Sequence, residues 1–126
     1  MAYSYDDQNI FAKILRKEIP NSTVRETEHT LAFRDIAPQA PDHVLVVPKG
    51  PYVTADHFAA EASDAEILDF WRVFGEITRE LGAAADGGDG YRLIVNSGRH
   101  GVQDVPHFHM HILAGRPLGP MLARRD

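Results

Sequence analysis

The sequence predicts an α+β fold: a mainly antiparallel sheet of about five strands, one long helix over about 63–82, and a short N-terminal helix. Three stretches carry that expectation. Ser63-Asp64-Ala65-Glu66 has the spacing of a capping box, and Ile67, Leu68, Trp71, Phe74, Ile77 and Leu81 then recur at three and four until Gly82, so one helix face is core. "HVLVVP", residues 43–48, is a compact β-branched run closed by Pro48 and Gly50. In "VPHFHMHILAGRP", residues 105–117, His107, His109 and His111 alternate with Phe108, Met110 and Ile112. Strand side chains alternate between faces, so this spelling puts three imidazoles on one side and three apolar groups on the other.

The remaining elements follow in chain order. Ile10, Phe11, Ile14 and Leu15 fall at helical spacing between Asp6 and Glu18, and Pro20 stops the pattern. "STVRETEHTLAFRD" alternates loosely around Val24, Leu31 and Phe33, predicting two short strands with a turn near Thr27 and Glu28. "DIAPQAPDH" is loop chemistry, with two prolines close together. After the long helix, "DGGDG" (86–90) is a turn, and "GYRLIVNSG" is a strand that enters the Gly-containing loop "NSGRHGVQD". The histidine strand comes next, so the last two strands form a hairpin whose loop closes beside the histidines.

Bulk properties narrow the function classes. At 126 residues the chain has the size of one domain, 1–126, with a tail from about 115 onward. A formal net charge of -5 argues against nucleic acid or anionic membrane as a partner, though a single nucleotide needs only a few local donors. With no cysteine, disulfides, thiolate metal sites and a cysteine nucleophile are excluded. The start "MAYSYDDQNIF" lacks the pattern of a secretory signal, and no apolar run reaches the roughly 20 residues that cross a bilayer. A cytoplasmic location is expected.

Three histidines in five positions, out of seven in the chain, ask for a chemical reason. Metal binding is one. Strand geometry sets His107 and His109 about 6.7 Å apart at Cα and His107 and His111 about 13 Å apart, against about 3.4 Å between nitrogens on one zinc ion. All three strain to share an ion, although His43, His57 or His100 could supply another ligand. The other reason is phosphoryl or nucleotidyl transfer. An imidazole that is largely unprotonated near neutral pH attacks phosphorus, while a neighbouring, charged imidazole holds a phosphate oxygen.

"HFHMHIL" resembles the histidine-triad motif. With "NIFAKILRKEIP", "LAFRDIAPQAPDHVLVVPK", "GYRLIVNSG" and "HFHMHILAGRPLGPMLA" in order, nearly the whole chain is similar to the Hint branch of histidine-triad nucleotide-binding proteins, its prokaryotic members in particular. The resemblance implies a HIT-like fold and a homodimer in which two sheets continue into one, each tail approaching the partner's site. It also implies a purine-nucleoside phosphoramidase that hydrolyses P–N bonds through a nucleotidyl-histidine, with no metal or other cofactor. By position, His109 is then the nucleophile, His111 contacts phosphate, His107 orients His109, and His43 joins a hydrogen-bonded relay. Asp35 matches the acid that binds the ribose hydroxyls. Asn96, Gly101 and Val105 match the phosphate-side wall, and Ile19, Phe33 and Ile36 lead the apolar purine pocket that also draws on Ile10, Phe11, Ile14 and Leu45. Read without the resemblance, His43 is a strand-edge residue, Asp35 a turn residue before Pro38, and most of the apolar set plain core.

Departures from the family pattern bear on mechanism. Asp104 stands where a serine is thought to assist the leaving nitrogen. An exposed carboxylate cannot donate a proton at neutral pH, so either a nearby group raises its pKa, or His43 and the triad handle the leaving amine, or, the favoured expectation, Asp104 attracts a cationic amine. Val102 replaces a glycine of the phosphate loop and disfavours positive φ, and Pro106 replaces an aromatic residue. Three other functions stay open: a nucleoside-monophosphate-binding regulatory module, a metal-dependent hydrolase, and a HIT hydrolase acting on dinucleoside polyphosphates.

Overall fold

Eight elements make up the computed structural model, which describes residues 3–123. In chain order they are α1 (Ile10–Leu15), β1 (Thr23–Glu26), β2 (Thr30–Arg34), β3 (Asp42–Pro48), α2 (Ala55–Glu61), α3 (Asp64–Glu80), β4 (Arg92–Ile94) and β5 (Met110–Ala114). The strands form a five-stranded sheet in the order β1-β2-β3-β5-β4, and each neighbouring pair is antiparallel. This is the α+β architecture the sequence predicts, including the pairing of the last two strands. Residues 124–126 of the tail lie outside the described residues.

Alternation along the strands gives the sheet two working faces. Ala32, Val44, Val46, Met110 and Ile112 pack with Phe58 of α2, with Phe70, Val73 and Ile77 of α3, and with Phe108. On the opposite face Leu31, Phe33, Leu45 and Val47 pack with Phe11 and Ile14 of α1. The histidines therefore share their side of the sheet with the smaller cluster, while the larger cluster anchors the strands from behind.

Helix α3 matches its expected bounds, with Ser63 and Glu66 forming a reciprocal capping box and Gly82 taking a positive φ just past the end. Its buried stripe is Phe70, Val73 and Ile77. Leu68 and Trp71, expected in the core, are 58% and 50% exposed, because they lie on a neighbouring stripe turned away from the sheet.

Three other expectations need correction. The N-terminal helix starts at Ile10, not Asp6, because the Asn9 side chain accepts from Ala12 N–H while its amide donates to the Asp6 carbonyl, closing a separate turn. It ends before Lys17, which has φ 65. Helix α2 was not anticipated; Thr54 caps it by accepting from His57 N–H, and Phe58 ties it to the core. Finally, the ladder of β5 begins at Met110 rather than at His107. Phe108 N–H donates to the Tyr52 carbonyl and His107 N–H turns back to Val105, so neither is free for a strand partner. The two-faced alternation still holds, since Phe108 packs with Met110 and Ile112. Among the described residues no helix is long and apolar enough to cross a membrane.

Candidate active site

Four histidines converge where β3 meets β5. Leu45 lies opposite His111 and His43 opposite Leu113, so His43 and His111 are diagonal neighbours on one face. Their rings meet at 2.8 Å between His43 Nε2 and His111 Nδ1. Gln39 N–H donates to His43 Nδ1 at 3.1 Å, which leaves the His43 proton on Nε2. That proton is donated to His111 Nδ1, and the neutral His111 ring must then carry its own proton on Nε2.

His109 takes the opposite tautomer. Its Nδ1 lies 2.7 Å from the His107 carbonyl, which can only accept, so Nδ1 carries the proton and Nε2 keeps a lone pair. The His107 ring is itself fixed at both ends: Nε2–H donates to the Pro48 carbonyl at 2.8 Å, and Nδ1 accepts from the Tyr5 hydroxyl at 2.6 Å. The rings of His109 and His111 are 5.2 Å apart in an edge-to-face arrangement, and Phe11 meets His109 edge-on at 4.9 Å.

Electrostatics keep the rings of His43, His107 and His111 neutral. Burial pushes His107 down to about 4, with the neighbouring His109 acting in the same direction. Burial, then His109 and His43, likewise push His111 down to about 4. Burial also lowers His43, against an opposing pull from Asp35. The sequence suggested a charged imidazole beside the nucleophile. The geometry instead provides a neutral N–H donor, on His111, next to the lone pair of His109. That pairing suits attack on phosphorus with a donor ready for a phosphate oxygen.

The HIT domain family model matches residues 16–118. The chain belongs to the HIT family. It is 46% identical over 119 residues to the purine nucleoside phosphoramidase of Escherichia coli (strain K12), covering 94% of this chain and 97% of that protein. Two solved structures are each 37% identical: a histidine triad protein from Clostridium difficile (TM-score 0.79, 94% of this chain and 100% of that one) and a HIT family hydrolase from Legionella pneumophila (TM-score 0.74, 87% and 98%).

Around the rings, the HIT chain gathers most of the other expected residues. Asp35 Oδ2 is 3.5 Å from His43 Nε2, while its Oδ1 accepts from Ala37 N–H and fixes the turn. Phe33 is buried in the smaller cluster, on the histidines' own side of the sheet, with Ile19 and Val105 packed against that cluster. Ile36 stands apart: it is 97% exposed. Asn96 sits on the wall of a cavity of about 580 Å³ together with His43 and His111. Met121 and Leu122 of the tail line the same cavity, and Arg92 holds the tail by donating to the Gly119 and Pro120 carbonyls. In the single chain the tail thus lies over its own site.

The loop between β4 and β5 is shaped by close backbone approach. A Cβ on Gly101 would come within 2.6 Å of the Ser97 backbone, so only glycine fits. Val102 adopts φ 56, the conformation its branched side chain was expected to avoid. With its side chain pointing to solvent (79% exposed), the constraint comes from neighbouring hydrogen bonds: Val102 N–H to Arg99, Gln103 N–H to Gly98, and the Gln103 side chain to Val53 and Val105. Asp104 follows, with a carboxylate oxygen 3.5 Å from His109 Nε2 and a side chain that is 80% exposed. His57 and His100, considered as outlying ligands, do not join the group. Asp35, His43 and His111 do each present a ligand atom, all within 4.8 Å of one another. Tyr5, Gln39 and Gln103 are the site residues that sequence reasoning passed over: Gln39 and Gln103 lie within "DIAPQAPDH" and "NSGRHGVQD", but nothing there singles them out, and nothing in the sequence pairs Tyr5 with the histidines.

Proposed function

We propose that this HIT protein hydrolyses the P–N bond of purine nucleoside 5'-monophosphoramidates. The single observation that supports this most directly is the free Nε2 lone pair of His109 beside the Nε2–H of His111. His109 Nε2 attacks phosphorus, the P–N bond to the amine breaks, and the leaving nitrogen takes a proton from solvent, which the water of the second step returns. Water then attacks the nucleotidyl-histidine, breaking the new P–N bond to release the nucleoside monophosphate and restore the ring. His111 donates to a phosphoryl oxygen, His107 orients His109, and the relay from Gln39 through His43 fixes His111. Asp35 accepts from the ribose hydroxyls, Phe33, Ile19 and Ile36 take the purine, and Asn96, Gly101 and Val105 border the phosphate. The name of the Escherichia coli relative supports the P–N specificity.

The same reading gives a cytoplasmic homodimer of single-domain chains. Its support is the open outer edge of β4 together with the exposed Leu68 and Trp71 stripe of α3.

The deciding assay is steady-state hydrolysis of an adenosine 5'-phosphoramidate bearing a fluorescent amine, by wild type and His109→Ala, each with and without EDTA. The expected outcome is turnover that EDTA spares and that the substitution lowers by more than about a thousandfold. Loss of activity with EDTA would favour metal chemistry at Asp35, His43 and His111. AMP binding without turnover would favour a regulatory module, and cleavage of dinucleoside polyphosphates alone would favour that substrate class.

A further inference from the structure

The first described residues form no helix or strand, yet they reach the back of the site. Tyr3 stacks on His57 of α2, with ring centroids 4.1 Å apart and planes 6° from parallel, and its hydroxyl bonds to Asp56. Two residues on, the Tyr5 hydroxyl donates to His107 Nδ1 at 2.6 Å. His107 is fully buried and its other nitrogen is committed to Pro48, so Tyr5 supplies what the ring still lacks.

We propose that Tyr5 is a positioning residue for His109, acting through His107. The inference rests on the reading of His109 as nucleophile. Residues Val105 to His109 lie outside the β5 ladder, so the sheet does not fix them directly. They are held by Phe108 N–H on the Tyr52 carbonyl, by the Gln103 amide on the Val105 carbonyl, and by the two ends of the His107 ring. The His107 carbonyl in turn decides which nitrogen of His109 carries the proton. A shift of that carbonyl lets the proton of His109 move to Nε2 and removes the lone pair that attacks.

The direction of the Tyr5 bond matters as well. Pro48 can only accept, so a neutral His107 must place its proton on Nε2 and present Nδ1 as an acceptor. Tyr5 must therefore donate, and burial raises its pKa, which keeps the phenol protonated. Phenylalanine at this position leaves a buried acceptor without a partner while filling the same space.

The test compares Tyr5→Phe with Tyr3→Phe, which loses the bond to Asp56 but touches no triad atom. In histidine-¹⁵N-labelled, substrate-free protein, Tyr5→Phe should move the His107 Nδ1 resonance toward that of an unbonded acceptor nitrogen. The two His109 nitrogen resonances should draw together as its tautomers mix. In the phosphoramidate assay kcat should fall about fivefold to tenfold with KM held within about twofold, while Tyr3→Phe keeps wild-type values in both measurements. His109 resonances unchanged in Tyr5→Phe would overturn the proposal, as would equal kinetic changes in the two variants. The spectra need no substrate, so a wild type without phosphoramidase activity would defeat the functional reading and still leave this one judged.

Discussion

Asp104 shows how one side chain on an accommodating loop can set a preference. Its Oδ1 accepts from the following N–H of Val105 at 2.9 Å, which steers the carboxylate toward His109. In an in-line displacement the leaving group departs on the side of phosphorus away from the attacking nitrogen, so the exposed Asp104 carboxylate at this rim acts on it through its charge. A negative charge there favours cationic leaving amines and does little for neutral ones. Asp104→Asn should lower kcat/KM for a substrate with a charged amine by about threefold to fivefold, consistent with an exposed pair worth at most about 1 kcal/mol. A neutral-amine substrate should change less than twofold; an equal loss on both would sink the idea. Val102, two residues earlier, carries a left-handed backbone conformation that costs on the order of 1–3 kcal/mol. The loop geometry is thus imposed by its hydrogen bonds and not by the residue that occupies it.

At the scale of elements, legibility followed local cause. Helix α3 could be read because its capping box and closing glycine are local signals, and β3 because its branched residues are contiguous. Helix α2 has a local cap at Thr54, but its seven residues carry too little apolar periodicity to stand out. The histidine alternation was visible because spacing alone defines it. The early end of the β5 ladder was not, because it depends on Tyr52, more than fifty residues away. Tyr5 was hidden for the same reason, its partner His107 lying 102 positions away, whereas Gln39 meets His43 four residues on through a loop conformation that no local pattern announces. The misplacement of Leu68 and Trp71 has a functional side: apolar groups on an outward stripe of α3, near an open sheet edge, suit a second copy of the chain. Trp71→Glu should shift the protein from dimer to monomer in sedimentation at micromolar concentration. A wild type that sediments as one chain would rule the dimer out.

Across the whole molecule, the buried histidines tie stability to pH. His107 and His111 titrate near 4 when folded and near 6.5 when unfolded. Between those values the unfolded chain takes up protons that the native chain refuses, so stability falls as pH drops through the window and is unaffected by these groups above it. For His107 the full effect is on the order of 3 kcal/mol, and the less buried His111 adds a smaller share. Urea unfolding at pH 7.5, 6 and 5 should show a midpoint that declines mainly between the last two. A midpoint level across all three would contradict the burial of these rings in neutral form.

The bond between His43 and His111 joins residues 68 positions apart, across the pairing of β3 with β5. Closing so long a loop is slow, because chain entropy is lost before the contacts that repay it are made. Local hairpins and helices can form early, but none of them contains both halves of the relay. A newly made or refolding chain therefore lacks the paired imidazoles until the two halves of its sheet have met, and on the proposed mechanism partly folded forms of this small protein are chemically silent.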